Sequence, residues 1–397
     1  MKIAIIGGGI GGTATACALR AKGFEVALFE QAAAFGEVGA GVQITPNAVK
    51  AIMGLGLDHK LDAVAFRPRA VSGRHWQSGR QNFRIDLGEE FRAHYRAPFL
   101  HIHRADLLDV FASELPPEVC HFNKRLEGVA QTGAGVQLQF ADGSRFEADL
   151  VVGADGVRSA VRREVFGAGD LRWTGHQCYR ALVPTGGVVG HVAPESAFWM
   201  GPKAHVVTYY VKGGAAVNIV AVTEAAEWVE ESWSARSSRT AMLKDFEGWH
   251  PDLQKLFEGV DEVYNWGLFD RDPMPGWSKG AVTLLGDACH PMLPFLSQGA
   301  AMAIEDAYVL AQALALHPDA PGAALAAYEA ERLPRTARVQ LEARERGRTY
   351  HLPSEDEMAA RDAEYARRAK EDPRTTGINT DWVYDYDPRD FAARRAA

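Results

Sequence analysis

The first 30 residues carry the sequence feature that most constrains the fold. A short apolar run at residues 2–6 leads into a glycine-rich turn that matches GxGxxG, and a segment of helical composition follows. A second apolar run at residues 24–29 ends at Glu30. This order of strand, turn, helix, strand and acid predicts a βαβ unit that binds a dinucleotide at the helix N-terminus.

Each part of this motif has a mechanical role. Gly7 allows the tight turn, Gly9 lets the backbone approach a pyrophosphate, and Gly12 lets the helix pack closely against the strand. The free N–H groups and the positive dipole at a helix N-terminus attract phosphates. Glu30 can accept hydrogen bonds from ribose hydroxyls, and an acid at this point disfavours the 2′-phosphate of NADP.

Composition narrows the class of protein further. The 397 residues are 47% hydrophobic and 24% charged, with a net charge of −8, which is typical of a globular chain of two or three domains. A net negative chain has no general attraction for nucleic acids or anionic lipids, so we expect neither as a partner. The four cysteines are widely spaced without a CxxC pair, which argues against a disulfide framework and a cysteine zinc site.

The start of the chain has some features of a secretory signal. Five glycines interrupt its apolar stretch, however, and cleavage would remove the glycine motif. No apolar run elsewhere is expected to span a bilayer. We therefore expect a cytoplasmic enzyme with an intact N-terminus.

Two later segments repeat the pattern of an apolar run followed by an acidic turn. Residues 150–153 lead into Asp155 and Gly156, and residues 282–285 lead into Asp287 and then a loop before an Ala-rich helix. A third segment places Arg104 at a predicted helix start. Taken alone, Asp155 could be only a turn residue and Asp287 only a helix N-cap.

With these motifs in this order, the chain resembles the single-component FAD-dependent aromatic hydroxylases. The resemblance covers about residues 1–330 and is strongest to salicylate, 3-hydroxybenzoate and 6-hydroxynicotinate hydroxylases. It implies an α/β fold: a glutathione-reductase-like Rossmann FAD domain with an inserted, mainly β substrate domain and a C-terminal helical segment. The expected bounds are 1–175 and 271–330 for the FAD domain, 176–270 for the substrate domain and 331–397 for the helical region.

The resemblance also implies FAD contacts. Arg104 would contact the phosphates, Asp287 the ribityl chain, and Asp155 both FAD and the pyridine nucleotide. The backbone N–H groups of Gly299 and Ala300 would face the pyrimidine edge of the flavin. The full set of implied FAD-binding residues is Gly7, Gly9, Gly11, Gly12, Glu30, Gln31, Arg104, Leu126, Asp155, Asp287, Gly299 and Ala300.

In the family that this chain resembles, reduced flavin binds O2 as a C4a-hydroperoxide, which attacks an aromatic ring activated by loss of a hydroxyl proton. A positioned His or Tyr suits that proton transfer. His205 and Tyr209 are our candidates, because residues i and i+4 of a predicted strand share one face and can point at the same cavity. The resembling enzymes have a His and a Tyr at this spacing. The alternative is a pair of ordinary half-buried sheet residues.

Three further residues are candidates for substrate contacts. Gln43 lies where the family's chain passes the flavin, although it could be an ordinary polar strand residue. Pro294 and Phe295 follow Asp287 and would lie near the reacting oxygen. Pyridine-type members are expected to have histidines near Gln43 and Phe295, so their absence favours a benzene-ring acid. His290 is expected to order the loop, and we expect no metal site.

The sequence therefore predicts an FAD monooxygenase that uses NADH or NADPH and O2 to hydroxylate a small hydroxylated aromatic acid of the salicylate or 3-hydroxybenzoate type. The alternatives are a 6-hydroxynicotinate-type hydroxylase, an FAD reductase or oxidase without oxygen insertion, and a non-catalytic flavin-binding protein. The sequence does not decide between a monomer and a homodimer. The aromatic run at residues 381–386 could dock on the body of the protein.

Overall fold

The computed structural model describes residues 1–36, 40–133, 135–186, 192–225, 236–371 and 380–396. The strands of the first part of the chain are β1 (Lys2–Ile6), β2 (Glu25–Phe29), β3 (Gly41–Ile44), β4 (Ala70–His75), β5 (Gln81–Asp86), β6 (Leu100–His103), β7 (Cys120–His121), β8 (Leu126–Thr132), β9 (Gly135–Phe140), β10 (Arg145–Ala148) and β11 (Leu150–Gly153). The helices there are α1 (Ile10–Ala21), α2 (Pro46–Gly54), α3 (Asp58–Val64), α4 (Glu89–Tyr95), α5 (Arg104–Ala112) and α6 (Ala160–Phe166).

The second part of the chain adds further strands and longer helices. The strands are β12 (Arg172–Pro184), β13 (Ser196–Gly201), β14 (Ala204–Val211), β15 (Ala216–Glu224), β16 (Arg236–Ser237), β17 (Val263–Asp270), β18 (Ser278–Lys279) and β19 (Val282–Leu284). The helices are α7 (Arg239–Asp245), α8 (Pro251–Glu258), α9 (Gly299–Leu316), α10 (Pro321–Tyr350), α11 (Glu355–Glu371), α12 (Asp381–Tyr384) and α13 (Phe391–Ala396).

A six-stranded sheet in the order β18-β19-β11-β1-β2-β7 forms the first half of the molecule. Its pairings are parallel except for β18 with β19, and β1 lies between β2 and β11. These strands are almost wholly apolar, as expected of a parallel sheet with both faces covered. The predicted βαβ unit is confirmed as β1, α1 and β2, with Gly7 at φ +107° in the turn.

An eight-stranded sheet in the order β16-β17-β12-β15-β14-β13-β4-β5 forms the second half. Its pairings are antiparallel except for β13 with β4. Strands β4 and β5 lie within the range predicted for the FAD domain, yet they complete this sheet. Their pairing with β13 gives that strand a second neighbour and so covers an edge that would otherwise expose unpaired backbone groups.

The C-terminal aromatic run docks on the body of the protein. The ammonium group of Lys50 donates to the backbone oxygen of Tyr384 at 2.7 Å. The guanidinium of Arg338 lies 3.7 Å from the ring centre of Trp382, and Arg335 lies 4.1 Å from that of Tyr386. The predicted architecture, with a Rossmann-type parallel sheet, an inserted β region and C-terminal helices, is confirmed.

Helix α9 corrects one expectation. By length and composition, Gly299–Leu316 could cross a membrane, although the sequence predicted no such segment. Most of this helix is buried inside the protein, where it packs against α1, α2 and α10. Its apolar composition is therefore explained by its place in the core.

Candidate active site

A cavity of about 290 Å³ is lined by residues from both sheets. The parallel sheet contributes the turns that follow β1, β11 and β19, and the antiparallel sheet contributes side chains of β12, β14 and β17. The N-terminal ends of α1 and α9 also open onto this cavity. The cavity therefore has one wall made of backbone turns and helix ends and another made of strand side chains.

The glycine turn forms one end of the backbone wall. A Cβ at Gly12 would lie 1.9 Å from the backbone oxygen of Gly7, so only glycine allows this contact between helix and strand. A Cβ at Gly9 would meet no protein atom within 4 Å, because Gly9 faces the cavity. Gly11 also lines the cavity. The turn thus leaves open space at the start of α1, where the first N–H groups of a helix lack intrahelical partners.

Glu30 closes the glycine turn from the end of β2. One carboxylate oxygen accepts the backbone N–H of Gly8 at 2.6 Å, and the other accepts that of Ala32 at 2.8 Å. Gln31 is exposed, and Leu126 is buried in the core at the start of β8. These residues lie outside the cavity lining, so any contact they make with a cofactor would lie beyond the cavity itself.

Asp155 caps a helix, and its neighbour lines the cavity. Its carboxylate accepts the backbone N–H groups of Ala160 at 2.7 Å and Val161 at 3.1 Å, and it also accepts the hydroxyl of Ser159. Gly156 lines the cavity with φ at +77°. The carboxylate that the sequence singled out therefore fixes the start of α6, which positions the backbone of Gly156 beside the cavity.

Asp287, Arg104 and the start of α9 all line the same cavity. Asp287 lies deep in the protein, which raises the pKa of its carboxyl, while His290 and Arg104 lower it. The side chain of Asp287 is surrounded by protein but faces the open cavity, so it remains accessible to solvent. Arg104 is the first residue of α5, as predicted. Gly299 and Ala300 begin α9 and line the cavity with their unbonded helix N-terminus.

These features fit FAD. Two helix N-termini point at one cavity, which suits a pyrophosphate at one end and the electron-rich edge of a flavin at the other. The space at Gly9 admits a phosphate against the backbone, and Asp287 presents a carboxylate to hydroxyl groups.

His205 and Tyr209 lie together on the side-chain wall. Both belong to β14, both line the cavity, and both are almost fully buried. Their neighbours Val206 and Tyr210 pack into a separate cluster on the opposite face of the sheet. The strand spacing thus brings the two predicted rings to one cavity, as the sequence indicated.

His351 is a partner of His205 that the sequence did not reveal. Its Nε2 lies 2.6 Å from Nδ1 of His205, so one ring donates and the other accepts. Burial lowers the pKa of His205 to about 3 and that of His351 well below its usual range. Both rings are therefore neutral near pH 7, and His351 reaches this place only because α10 ends beside β14.

Arg180 is a second residue that the sequence analysis missed. It lies on β12 and lines the cavity, with its guanidinium 5.2 Å from the ring centre of Trp266. Its Nε is buried and makes no hydrogen bond within the described residues. The sequence did contain a signal, since Arg180 is a lone charge in an otherwise apolar strand segment. A half-buried guanidinium beside a cavity suits a carboxylate ligand.

Gln43 and Phe295 also line the cavity. The amide of Gln43 donates to Ser196 at 2.5 Å and accepts from Ser297 at 2.8 Å. Its polar atoms are thus engaged with protein, and the contact with Ser297 fixes the loop that contains Pro294 and Phe295. Both of these residues line the cavity, and the ring centre of Phe295 lies 5.2 Å from that of His205.

A buried ion network joins the middle of α9 to α10. Arg332 binds Glu305 and, at 2.7 Å, Asp306, while Arg335 binds Glu305 at 2.8 Å. His290 lies 2.6 Å from Asp306, which places it in this network and matches its predicted role in ordering the loop. Since α9 presents Gly299 to the cavity and α10 leads to His351, the network holds the two sides of the cavity together.

Comparison with known proteins assigns the chain to a family. Residues 1–343 match the model of the FAD binding domain family. The chain is 39% identical to 3-amino-4-hydroxybenzoate 2-monooxygenase of Streptomyces platensis over 394 residues, which cover 99% of the chain and 98% of that relative. It is 41% identical to 6-hydroxynicotinate 3-monooxygenase of Bordetella bronchiseptica over 345 residues, 85% of the chain and 89% of that relative.

A solved structure agrees with this assignment. A salicylate hydroxylase in complex with substrate has a TM-score of 0.82 and 29% identity, and the match covers 99% of this chain and 97% of that chain. The agreement therefore extends through the inserted sheet and the C-terminal helices as well as the parallel sheet. The chain belongs to the FAD-dependent aromatic monooxygenases.

Proposed function

We propose that the enzyme inserts one oxygen atom from O2 into the ring of a small hydroxylated aromatic acid, with NADH or NADPH as reductant. The observation that supports this most directly is the convergence of His205, Tyr209 and Arg180 on one cavity. That cavity also contains the helix N-termini that fit FAD. A proton-handling pair, a carboxylate anchor and a flavin site in one cavity match the needs of this substrate class.

Bound FAD would supply the reduction of O2 and the transfer of an oxygen atom, and the protein residues would prepare the ring. His205 is neutral, so a nitrogen of its ring can accept a hydrogen bond from the ring hydroxyl and draw that proton partly away. Burial raises the pKa of Tyr209, so its hydroxyl stays protonated and can donate a hydrogen bond to the ring oxygen. Removing the hydroxyl proton makes the ring electron-rich enough to be attacked.

Arg180 would anchor the carboxylate of the substrate. Its guanidinium lies among the apolar walls of the cavity, where a charge-assisted hydrogen bond is stronger than in water. Phe198, Trp266 and Phe295 form apolar walls that exclude water from the reacting ring. Anchoring at one end and proton transfer at the other would orient the ring in a single way.

The ring itself is proposed to be that of a hydroxybenzoate of the salicylate or 3-hydroxybenzoate type. Gln43 and Phe295 occupy positions where pyridine-type enzymes are expected to carry histidines, which favours a benzene ring. The long match to an aminohydroxybenzoate monooxygenase supports the same ring class. The match to a 6-hydroxynicotinate monooxygenase makes the pyridine acid the second candidate.

We propose the residue roles on the same basis. The FAD contacts implied by the resemblance, the division into FAD-binding, substrate-binding and C-terminal regions, and a cytoplasmic location are part of this proposal. Within it, Gln43 becomes a residue that positions the loop of Pro294 and Phe295, because both ends of its amide are hydrogen-bonded to protein.

The test follows NADH and NADPH oxidation by the flavin-loaded enzyme with a substrate panel. The panel contains salicylate, 3-hydroxybenzoate, 4-hydroxybenzoate, 3-amino-4-hydroxybenzoate and 6-hydroxynicotinate, and products are identified by mass. We expect a hydroxybenzoate to stimulate oxidation and to gain one oxygen atom, and loss of CO2 would identify a decarboxylating reaction. Oxygen insertion into 6-hydroxynicotinate alone would establish the second candidate. Reductant consumption that yields only peroxide with every acid would contradict the proposal and favour an oxidase.

A further inference from the structure

Three polar side chains from distant parts of the chain meet beside the cavity. His176 on β12 and Glu224 at the end of β15 are cross-strand partners in the sheet. His351 follows α10 and completes the group. Each of the three residues offers one ligand atom, and these atoms all lie within 4.8 Å of one another. The positions are far apart in the sequence, which is why no ligand-spacing pattern indicated them.

The hydrogen bonds of His176 determine which of its nitrogens is free to bind a ligand. Its Nδ1 lies 3.1 Å from the hydroxyl oxygen of Thr174. That hydroxyl donates its own proton to the backbone oxygen of Leu268 at 2.8 Å. The proton between the ring and Thr174 must therefore belong to His176 Nδ1, which leaves Nε2 with a lone pair.

His351 likewise has one ring nitrogen in a hydrogen bond and one that could bind a ligand. Its Nε2 is engaged with His205 Nδ1 at 2.6 Å, while its Nδ1 is buried and has no hydrogen-bond partner within the described residues. A buried polar nitrogen without a partner destabilises the fold, and a ligand bound at this atom would remove that cost. Histidines that bind metals usually have their second ring nitrogen hydrogen-bonded in this way.

We propose that His176, Glu224 and His351 form a binding site for a divalent transition metal ion of the zinc type. The ligands are His176 Nε2, His351 Nδ1 and a carboxylate oxygen of Glu224, and a water molecule takes the fourth position. Two imidazoles and one carboxylate suit zinc, and they match Mg²⁺ and Ca²⁺ poorly because those ions prefer oxygen ligands. Glu224 is exposed, so its side chain can rotate toward the ion and the ion can enter from solvent.

The site is connected to the cavity through His205. A metal at His351 Nδ1 holds the ring proton on Nε2, which then donates to His205 Nδ1. The neutral His205 would carry its own proton on Nε2, so it could no longer accept a proton from a ring hydroxyl. Zinc is therefore expected to lower kcat, a consequence that rests on the proposed function, whereas zinc binding itself does not.

The test is a calorimetric titration of ZnCl2 into the metal-stripped, FAD-loaded enzyme. We expect saturable binding of one equivalent, which Glu224→Gln and His176→Asn each weaken at least about tenfold, as loss of a ligand requires. The exposed Glu224 makes its variant safe for folding. His75→Asn is the matched control, because His75 pairs with Glu355 at 3.1 Å without a second histidine, and its affinity should stay within about twofold.

A second readout locates the ion directly. Anomalous scattering at the zinc edge from crystals soaked at equal, limiting zinc concentration should give a peak between His176 and His351, and a much weaker peak in crystals of Glu224→Gln. The proposal is overturned if the enzyme binds no single equivalent, or if both variants bind as the wild type does. One-equivalent binding without any change in kcat would keep the site and reject its connection to His205. Absence of hydroxylation with every substrate leaves the binding result intact.

Discussion

The two walls of the cavity are built in different ways. On the cofactor side, the wall consists of backbone turns and helix ends, and its main elements are contiguous: β1, the glycine turn and α1 follow one another. On the substrate side, the wall consists of side chains from β12, β14 and β17, and its partner His351 comes from the end of α10. The wall on the cofactor side depends on backbone conformation. The wall on the substrate side depends on which side chains tertiary packing brings together.

The largest expected effects come from two glycines of the turn, which differ in what an added Cβ would meet. Gly12→Ala places a Cβ 1.9 Å from a backbone oxygen, so the protein should purify without flavin. Gly9→Ala meets no protein atom within 4 Å, so it should fold normally but bind FAD about 10–100-fold more weakly through crowding of the ligand. Flavin absorbance per protein and the melting temperature measure the two effects.

Gly88→Ala is the control for both changes, since its Cβ also meets no protein atom within 4 Å and it lies at the start of α4, away from the cavity. It should keep full flavin content. Normal FAD affinity in Gly9→Ala would mean that the cofactor does not approach this turn.

On the side-chain wall, Tyr209→Phe removes the hydrogen bond that stabilises the ring oxygen as its proton leaves, so kcat should fall by about 10²–10³-fold while flavin content stays unchanged. Tyr210→Phe is the matched control, because its hydroxyl donates to the backbone of Val192 on the other face of the sheet. Single-turnover hydroxylation with the best panel substrate measures both. Equal rates in the two variants would make Tyr209 a structural residue.

A smaller effect is expected from Arg180→Gln. Loss of a charge-assisted hydrogen bond of about 1.5–3 kcal/mol should raise KM for a carboxylated substrate roughly 10–100-fold. The KM for a phenol without a carboxylate should change little. Arg172→Gln on the same strand is the control, since Arg172 is about half exposed and pairs with Asp270. If KM rose equally for the acid and for the phenol, Arg180 would not be the residue that binds the substrate carboxylate.

The last expected effect is on acid stability and concerns the ion network where the two walls meet. Burial raises the pKa of Glu305, but the charges of Arg332 and Arg335 lower this pKa by more than burial raises it. The net pKa therefore lies below its usual value. A depressed carboxyl pKa stabilises the fold above the unfolded value of about 4 and loses this effect as pH falls through the folded value. The stabilisation that ionised Glu305 gives the wild type should therefore still be present at pH 5 and be lost only at more acid pH.

In Arg335→Gln the acid transition should move to higher pH, with a loss of at least about 1.5–3 kcal/mol at pH 7, because Arg335 donates two hydrogen bonds to the Glu305 carboxylate. Arg348→Gln on the same helix is the control, because its contact with Glu345 is exposed and contributes less than about 1 kcal/mol. Tryptophan fluorescence followed from pH 7 to acid pH distinguishes the two. An unchanged transition in Arg335→Gln would mean that Arg332 alone holds Glu305 ionised.

The contrast between the walls explains how far sequence reasoning reached. The βαβ unit, Glu30, and the starts of α5 and α9 were predictable, because each depends on a short stretch of chain with its own turn chemistry. The pair His205 and Tyr209 was predictable as a shared strand face. His351 and the pairing of β4 with β13 were not, because they follow from contacts between segments separated by more than 100 residues. Asp155 was placed at the correct turn, but a sequence cannot show that its carboxylate bonds to the following helix.

The position of α9 has a consequence for biosynthesis. The cavity needs both Gly9 and Gly299, and β1 at the centre of its sheet needs β11, which ends at Gly153. At about 5–20 residues per second, a ribosome takes roughly 15–60 s to make the roughly 290 residues that separate Gly9 from Gly299 at the start of α9. During that time α1 lacks α9, the helix against which it packs. FAD can therefore bind only late in synthesis. A chain that is cut short before α9 has only part of the cofactor site.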